Sequence, residues 1–310
     1  MGTPLHRVPG KAGPGSPLGC RGGPCGRPRA ALSLLRSKAR FVFSFAGNYK
    51  TPTPSFLSEL LGGLLATLFP TGCLLCEREL TEPWGASICP VCWESLQPST
   101  GPFCERCGLP FASSLAVNFV DSLCGQCRQG EHEFDMARSY GLYTGNLRKA
   151  ILLLKFHGRE HLAIRLGALL ARPFEALAAA DSAIVAPVPL HPSRRRQRGF
   201  NQAELLARGL VRRLRGEKRA VQLVAGSLRR IRPTLPQVGL SVSARRENVS
   251  GVFSVARPEE VRNRPVVLVD DVMTTGATLS ACAAALKRAG AAQVLALSLA
   301  RATPQFPDSG

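Results

Sequence analysis

Residues Val266–Gly290 read VVLVDDVMTTGATLSACAAALKRAG. Four apolar residues run into two adjacent aspartates, a Thr-Thr-Gly turn follows, and the rest places apolar side chains at helical spacing. A short unbroken apolar run suits a strand buried on both faces, since it has no polar side to offer water. Such a strand delivers Asp270 and Asp271 to its carboxyl end, and Thr274, Thr275, Gly276, Ala277 and Thr278 turn into the next helix. In a turn of this kind backbone N–H groups converge on phosphate oxygens, with the positive end of the helix dipole behind them. The threonine hydroxyls add donors, and two carboxylates on the rim suit the vicinal hydroxyls of a ribose, directly or through waters of Mg²⁺. The order of strand, acidic pair, turn and helix predicts a sugar-phosphate cradle.

The surrounding segments repeat the alternation. FDMARSYGLY (134–143) begins a new pattern, NLRKAILLLKFHG (146–158) and REHLAIRLGALLARPFEALAAA (159–180) read as helices, and AIVAPVP (183–189) reads as a buried strand. GFNQAELLARGLVRRLRG (199–216) is helical, and AQVLALSLA (292–300) is a final strand. Strands alternating with helices imply an α/β fold with a parallel sheet flanked by helices, whose ligands bind beyond the carboxyl ends of the strands.

Ahead of this region the chain changes character. Of eleven cysteines, eight fall into four Cys-x-x-Cys pairs: Cys73/Cys76, Cys89/Cys92, Cys104/Cys107 and Cys124/Cys127. Zn²⁺ takes four thiolates in a tetrahedron, and each pair sets two of them on one tight turn. Intervals of twelve residues between Cys76 and Cys89, and sixteen between Cys107 and Cys124, fit small hairpins that bring knuckles together. Consecutive pairing onto two ions is the simplest arrangement, and the spacing leaves an interleaved one open. With four protein ligands each, the zincs are expected to be structural. Trp84, Trp93, Phe103, Phe111 and Phe119 are the aromatics of this module, for packing around the metal or for stacking on bases.

The remaining expectations come from charge and hydropathy. The formal net charge of +19 is concentrated: residues 1–50 hold nine Lys/Arg and no acid, and residues 190–232 hold thirteen against two acids. The second patch contains Arg194, Arg195, Arg196 and Arg198, more guanidinium than one pyrophosphate requires. It fits a polyanion such as single-stranded DNA, with a steep salt dependence. Residues 1–30 carry eight Gly and six Pro, so they are expected to be disordered. FLSELLGGLLATLF (56–69) is expected to be a docking helix, too short to span a bilayer. Reduced cysteines and no secretory signal predict a cytoplasmic protein. The domains expected are an extension over 1–55, a docking helix and ribbon module over 56–135, the sheet domain over 136–302, and a tail over 303–310.

VVLVDDVMTTGAT resembles the 5-phosphoribosyl-1-pyrophosphate (PRPP) motif of type I phosphoribosyltransferases. The stretch from about Phe69 to Ala302 resembles the ComF family, which includes ComFC and GntX. FPTGCLLC (69–76), LKFHG (154–158), APVPLHPSRRRQRGFNQAELLA (186–207) and RPTLPQVGLSVSARRENVSGVF (232–253) carry the likeness together with the cradle. The family joins a double zinc ribbon to a phosphoribosyltransferase-like domain and is linked to bacterial competence and use of DNA. The resemblance implies that Asp270 and Asp271 contact the ribose diol and that Thr274–Thr278 holds the 5-phosphate. It implies that the loop from Val188 through Leu190 and His191 to Arg194 faces the pyrophosphate. It also makes Thr234–Arg246, with Arg245 and Arg246, a flexible loop closing over the ligand. Lys155 is a further candidate phosphate contact. PRPP with Mg²⁺, single-stranded DNA and proteins of the DNA-uptake machinery are the implied partners. Turnover stays open: transfer of ribose 5-phosphate to a nucleobase or amine needs a hood that recognises the acceptor, and the zinc module occupies that position. A regulator that senses PRPP without chemistry is the remaining alternative.

Overall fold

The structure is a computed structural model that describes residues 72–80, 88–111, 122–156, 160–177, 182–232, 248 and 251–303. The expectations for the 1–55 extension, the Phe56–Phe69 helix, Trp84, Phe119, the Thr234–Arg246 loop and most of the tail lie outside the described residues.

Five strands form one parallel sheet: β1 (Met136–Leu142), β2 (Ile184–Pro187), β3 (Gln222–Leu223), β6 (Pro265–Met273) and β7 (Gln293–Arg301), in the spatial order β1-β7-β6-β2-β3. β4 (Leu228–Arg230) and β5 (Phe253–Val255) make a separate antiparallel pair. The central strands read as continuous apolar runs because both faces are covered. Val267, Val269, Leu295 and Leu297 enter the core under helices Gly145–Phe156, Glu160–Leu169 and Gln202–Gly216, while Val266, Leu268, Val294 and Ala296 enter the core under helix Ala277–Arg288. This is the expected parallel sheet flanked by helices.

Local differences from the sequence reading have simple causes. The segment 159–180 is not one helix. It divides into Glu160–Leu169 and Ala171–Glu175, because Pro173 has no N–H to continue the ladder, and the Leu170 N–H bonds Gly167 O at 3.1 Å instead. The arginines 194–198 do not lie in an open loop but on a helix of their own, Pro192–Arg198, whose first turn is set by Pro192. β6 extends through both aspartates to Met273, four residues past the apolar run.

The ribbon covers the β1 edge of the sheet. An exposed edge strand presents unpaired backbone groups to any other chain. Here Ser99 N–H donates to Tyr140 O at 2.8 Å and Ala137 N–H donates to Arg106 O at 2.7 Å. The two halves of the ribbon divide between the faces. Cys73, Cys89 and Cys92 join the core under helix Gly145–Phe156. Cys104, Cys107, Cys124 and Cys127 join the core under helix Ala277–Arg288. Ribbon and sheet form one compact unit spanning Pro54–Gly310. Among the described residues no helix is long and apolar enough to cross a membrane.

Helices Glu160–Leu169 and Gln202–Gly216 cross at two glycines. A Cβ on Gly209 would lie 2.3 Å from Ile164 O, and one on Gly167 would lie 2.3 Å from Leu206 O. Alanine at Gly209 gains up to about 1 kcal/mol of helix propensity, but the facing atom is backbone and cannot swing aside. Gly209→Ala should therefore lower unfolding stability by about 1–3 kcal/mol, read as a drop in denaturation midpoint at unchanged slope. A neutral or raised midpoint would show that the helices do not touch here.

Candidate functional site

The cradle forms where β6 leaves the core. Val266–Val269 are fully buried, and the next two residues, Asp270 and Asp271, are each half-buried. Neighbouring residues of a strand point to opposite faces, so the two carboxylates find different partners. Asp271 pairs with Lys155, Nζ to Oδ1 2.9 Å. Burial alone would depress the Lys155 ammonium, but the Asp271 carboxylate outweighs it and raises its pKa. Asp270 Oδ1 accepts the Asp271 N–H at 2.8 Å. Burial first, and then the charge of Asp271, push the Asp270 carboxyl up to about 7, against the pull of Lys155 and Arg230.

Beyond Met273 the chain turns through Thr274 and Thr275 into helix Ala277–Arg288, which starts at Gly276 with φ +80° and no side-chain cap bond. The positive φ favours glycine, and space requires it too: a Cβ there would lie 2.8 Å from Met273 Cε and 3.3 Å from His132 Cε1. Thr275 Oγ1 accepts the Ala277 N–H at 3.4 Å, and Gly276 O accepts the Ser280 N–H at 2.8 Å. The five residues Thr274–Thr278 thus stand together at the end of β6, one residue past Met273.

The other predicted residues divide. Val188 N–H bonds Val269 O at 2.9 Å, and Val188 O accepts Asn201 Nδ2 at 3.1 Å, which fixes the start of the loop beside β6. Leu190 is half-buried in that loop. His191 Nδ1 caps helix Pro192–Arg198, accepting the Ser193 N–H at 3.3 Å, so its role in the structure is local. Arg194 lies within the electrostatic reach of Arg230, and Arg230 within that of Asp270. Arg195 and Arg196 are exposed, and Arg198 lies over the ring of Phe156, 5.7 Å from its centroid.

Arg230 was not singled out by the sequence reading as a cradle residue. Its guanidinium is depressed by burial and by Arg194, with Asp270 opposing. The signal was its place in β4, just before the segment that resembles the flexible loop. Asn201, which holds Val188 and caps the following helix through Ala203 N–H at 3.1 Å, was also missed. An Asn directly ahead of an apolar helical period is the capping signal that marks it.

Both metal clusters pair consecutively. The sulfurs of Cys73, Cys76, Cys89 and Cys92 all lie within 4.8 Å of one another, and so do those of Cys104, Cys107, Cys124 and Cys127. Bonds of about 2.3 Å in a tetrahedron give sulfur–sulfur edges of about 3.8 Å. Cys76 and Cys89 Sγ are 3.8 Å apart, and Cys107 and Cys124 Sγ 3.5 Å. The knuckles repeat one design. Cys73 N–H bonds Arg78 O and Cys104 N–H bonds Leu109 O, each at 2.8 Å, and the fourth residue on, Glu77 or Gly108, takes positive φ. Backbone N–H groups of Cys89 and Cys124 donate to Cys73 and Cys104 Sγ at 3.2 and 3.3 Å, bonds that favour the thiolate form. All these residues fit two structural Zn²⁺ ions. Zinc with four thiolates carries two net negative charges, and at the second cluster Arg301 Nη2 stands 4.0 Å from Cys107 Sγ, with Arg138 nearby.

The architecture is therefore a double zinc ribbon joined to a phosphoribosyltransferase-type domain. Sequence comparison agrees: residues 64–128 match the double zinc ribbon domain and residues 202–308 the phosphoribosyl transferase domain. The chain is 35% identical to DNA utilization protein YhgH of Escherichia coli O157:H7 over 75% of its own length and 97% of the relative's. It is 31% identical to Competence protein F of Haemophilus influenzae, over 69% and 90% of the two chains. With Competence protein ComFC of Bacillus subtilis the identity is 25%, over 74% and 94%. The chain belongs to the ComF family.

The raised Asp270 carboxyl makes a prediction for the unliganded protein. Between its ordinary value of 3.8 and about 7 the folded state holds a proton that the unfolded state has lost. Stability therefore falls as pH rises through that window. Asp270→Asn keeps the oxygen that accepts Asp271 N–H and removes the penalty. The variant should exceed the parent at pH 8 by about 1–3 kcal/mol, with the gain fading toward pH 4. A constant difference across that range would contradict the assigned cause.

Proposed function

We propose that this protein is a cytoplasmic DNA-utilisation factor that binds PRPP with Mg²⁺ at the β6 cradle and single-stranded DNA along its arginine-rich surface. The observation that carries the reading is the Asp270–Asp271 pair, countered by Lys155 at 2.9 Å and leading directly into a glycine-initiated helix. Asp270 and Asp271 take the ribose diol, and the Thr274–Thr278 turn takes the 5-phosphate on its N–H groups and hydroxyls. Arg194, Arg230 and the loop at Val188–His191 take the pyrophosphate, and Arg245 and Arg246 belong to the segment that the family resemblance makes the closing loop. When bound, Mg²⁺ supplies positive charge to the pyrophosphate as a leaving group. Displacement of Lys155 from Asp271 frees an ammonium for phosphate and a carboxylate for ribose in one movement. The names of the relatives, DNA utilization protein and competence protein, support a role in handling incoming DNA alongside uptake-machinery proteins.

One observation favours a second reading, phosphoribosyl transfer to a nucleobase or amine. A carboxyl titrating at about 7, as Asp270 does, is matched to moving a proton at neutral pH. Release of pyrophosphate from PRPP with candidate acceptors separates an enzyme from a PRPP-sensing regulator.

Mg²⁺-PRPP should raise the melting temperature of the intact protein, and Asp270→Ala with Asp271→Ala should abolish the rise. No rise in the parent would remove the cradle reading. Single-stranded DNA affinity should fall steeply between about 50 and 200 mM salt, and alanine at Arg194, Arg195 and Arg196 should flatten that slope. A flat response in the parent would remove the DNA reading. Titrating single-stranded DNA with and without Mg²⁺-PRPP then tests whether the two ligands are coupled.

A further inference from the structure

The second zinc cluster is wired to the phosphate turn, and the first is not among the described contacts of that turn. Arg106 lies between Cys104 and Cys107. Its backbone carbonyl accepts from Ala137 N–H at 2.7 Å, at the start of β1. Its guanidinium holds two carbonyls of the segment that leaves the ribbon: Nη2 donates to His132 O at 2.5 Å and Nε to Phe134 O at 3.4 Å. That segment reaches the turn at once. The His132 ring is 3% exposed, stacks on Phe134 at 4.7 Å, and lies against Gly276 so closely that a Cβ there would be 3.3 Å from it. Next to it, Glu133 N–H donates to Ser280 Oγ at 2.9 Å, in the first turn of the helix behind the phosphate turn. A second thread runs through Arg301, 4.0 Å from Cys107 Sγ, whose neighbour Ala302 donates its N–H to Met273 O at 3.0 Å. The turn is thus gripped on both sides, at Met273 and at Gly276–Ser280, by residues that the second cluster holds.

We infer that the second zinc cluster sets the conformation of the phosphate turn, with Arg106 and His132 as positioning residues, so that metal retention at this cluster and PRPP binding are coupled. The inference rests on the reading of Thr274–Thr278 as the phosphate turn. Physically, Arg106 can hold both carbonyls only while its knuckle is closed on the metal. If the knuckle opens, His132 loses its footing and Gly276 its floor. Coupling is reciprocal: a ligand that needs the ordered turn must disfavour opening of the cluster that orders it. The first cluster packs on the opposite face of the sheet, against the core under helix Gly145–Phe156; that helix reaches the acid pair through Lys155, and among the described residues no hydrogen bond named here joins the first cluster to the turn. Loosening of the turn on loss of the second zinc follows from the same wiring.

The test follows thiol alkylation, peptide by peptide, in the full-length zinc-loaded protein exposed to a chelator. Saturating Mg²⁺-PRPP should slow alkylation of Cys104, Cys107, Cys124 and Cys127 about tenfold and leave Cys73, Cys76, Cys89 and Cys92 unchanged. Equal slowing at both clusters would mean global stabilisation only and would overturn the coupling, as would no slowing at either. Arg106→Ala should still bind two zincs, lose the selective slowing and weaken Mg²⁺-PRPP about tenfold. His132→Phe, which keeps a ring against Gly276, should retain most of the affinity that His132→Ala loses. Should either alanine variant fail to fold, the parent protein's alkylation pattern decides alone. A parent protein that shows no thermal response to Mg²⁺-PRPP contradicts the cradle itself. A thermal response without selective protection contradicts only the coupling.

Discussion

Two carboxylates emerge side by side from a central strand of the sheet, where its buried apolar run ends, and their burial and mutual repulsion are the constraint to which the surrounding residues answer. Asp271 is met by Lys155. Asp270 has a backbone N–H and the fields of Lys155 and Arg230, and burial first, then the charge of Asp271, still push its carboxyl up to about 7. The fold spends stability here, as binding and catalytic sites commonly do. Part of the positive charge of residues 190–232 answers to this pair. Arg230 lies within the field of Asp270, and Arg194, from a different segment, within that of Arg230, which it repels. A ligand bringing both phosphate and a metal would satisfy all of these charges together.

The zinc ribbon solves a second problem. A parallel sheet with β1 at its edge would offer an open ladder, and two backbone bonds from the ribbon close part of it. The ribbon straddles this edge, with one cysteine cluster contributing to each face of the core. Cys76, exposed while the seven other ligands are buried, is the point at which the first cluster meets solvent. Arg301 sits at the end of β7 with its guanidinium toward the second cluster, where a zinc tetrathiolate needs a counter-charge in a region closed to water. That charge requirement, more than packing, explains an arginine at the end of an otherwise apolar strand.

The elements with strong local signals were legible. The unbroken apolar runs of β2, β6 and β7, the Thr-Thr-Gly turn and the Cys-x-x-Cys spacing each reflect a short-range rule, and the parallel sheet follows from their order. Consecutive zinc pairing was the simplest reading, and the two clusters have it. The losses were of two kinds. Pro173 divided a segment read as one helix, and Pro192 started one in a stretch read as a loop; both effects are local and were open to view. Arg106, His132 and Arg230 are different. Each acts at the cradle across a distance of 40 or more residues of chain: nothing in the sequence around Arg106 announces that it holds His132, or that His132 floors Gly276. Tertiary proximity of this sort has no periodicity to read.

On the proposed reading the acid pair and the turn act as one ligand site, with diol and 5-phosphate held together. Phosphorus NMR of PRPP titrated with the protein reads the 5-phosphate and the pyrophosphate separately. With Mg²⁺ present, the 5-phosphate and pyrophosphate resonances should shift or broaden together and saturate at one ligand per chain. Unperturbed resonances, or a response confined to the pyrophosphate and shared by inorganic pyrophosphate alone, would contradict the cradle at Asp270–Thr278.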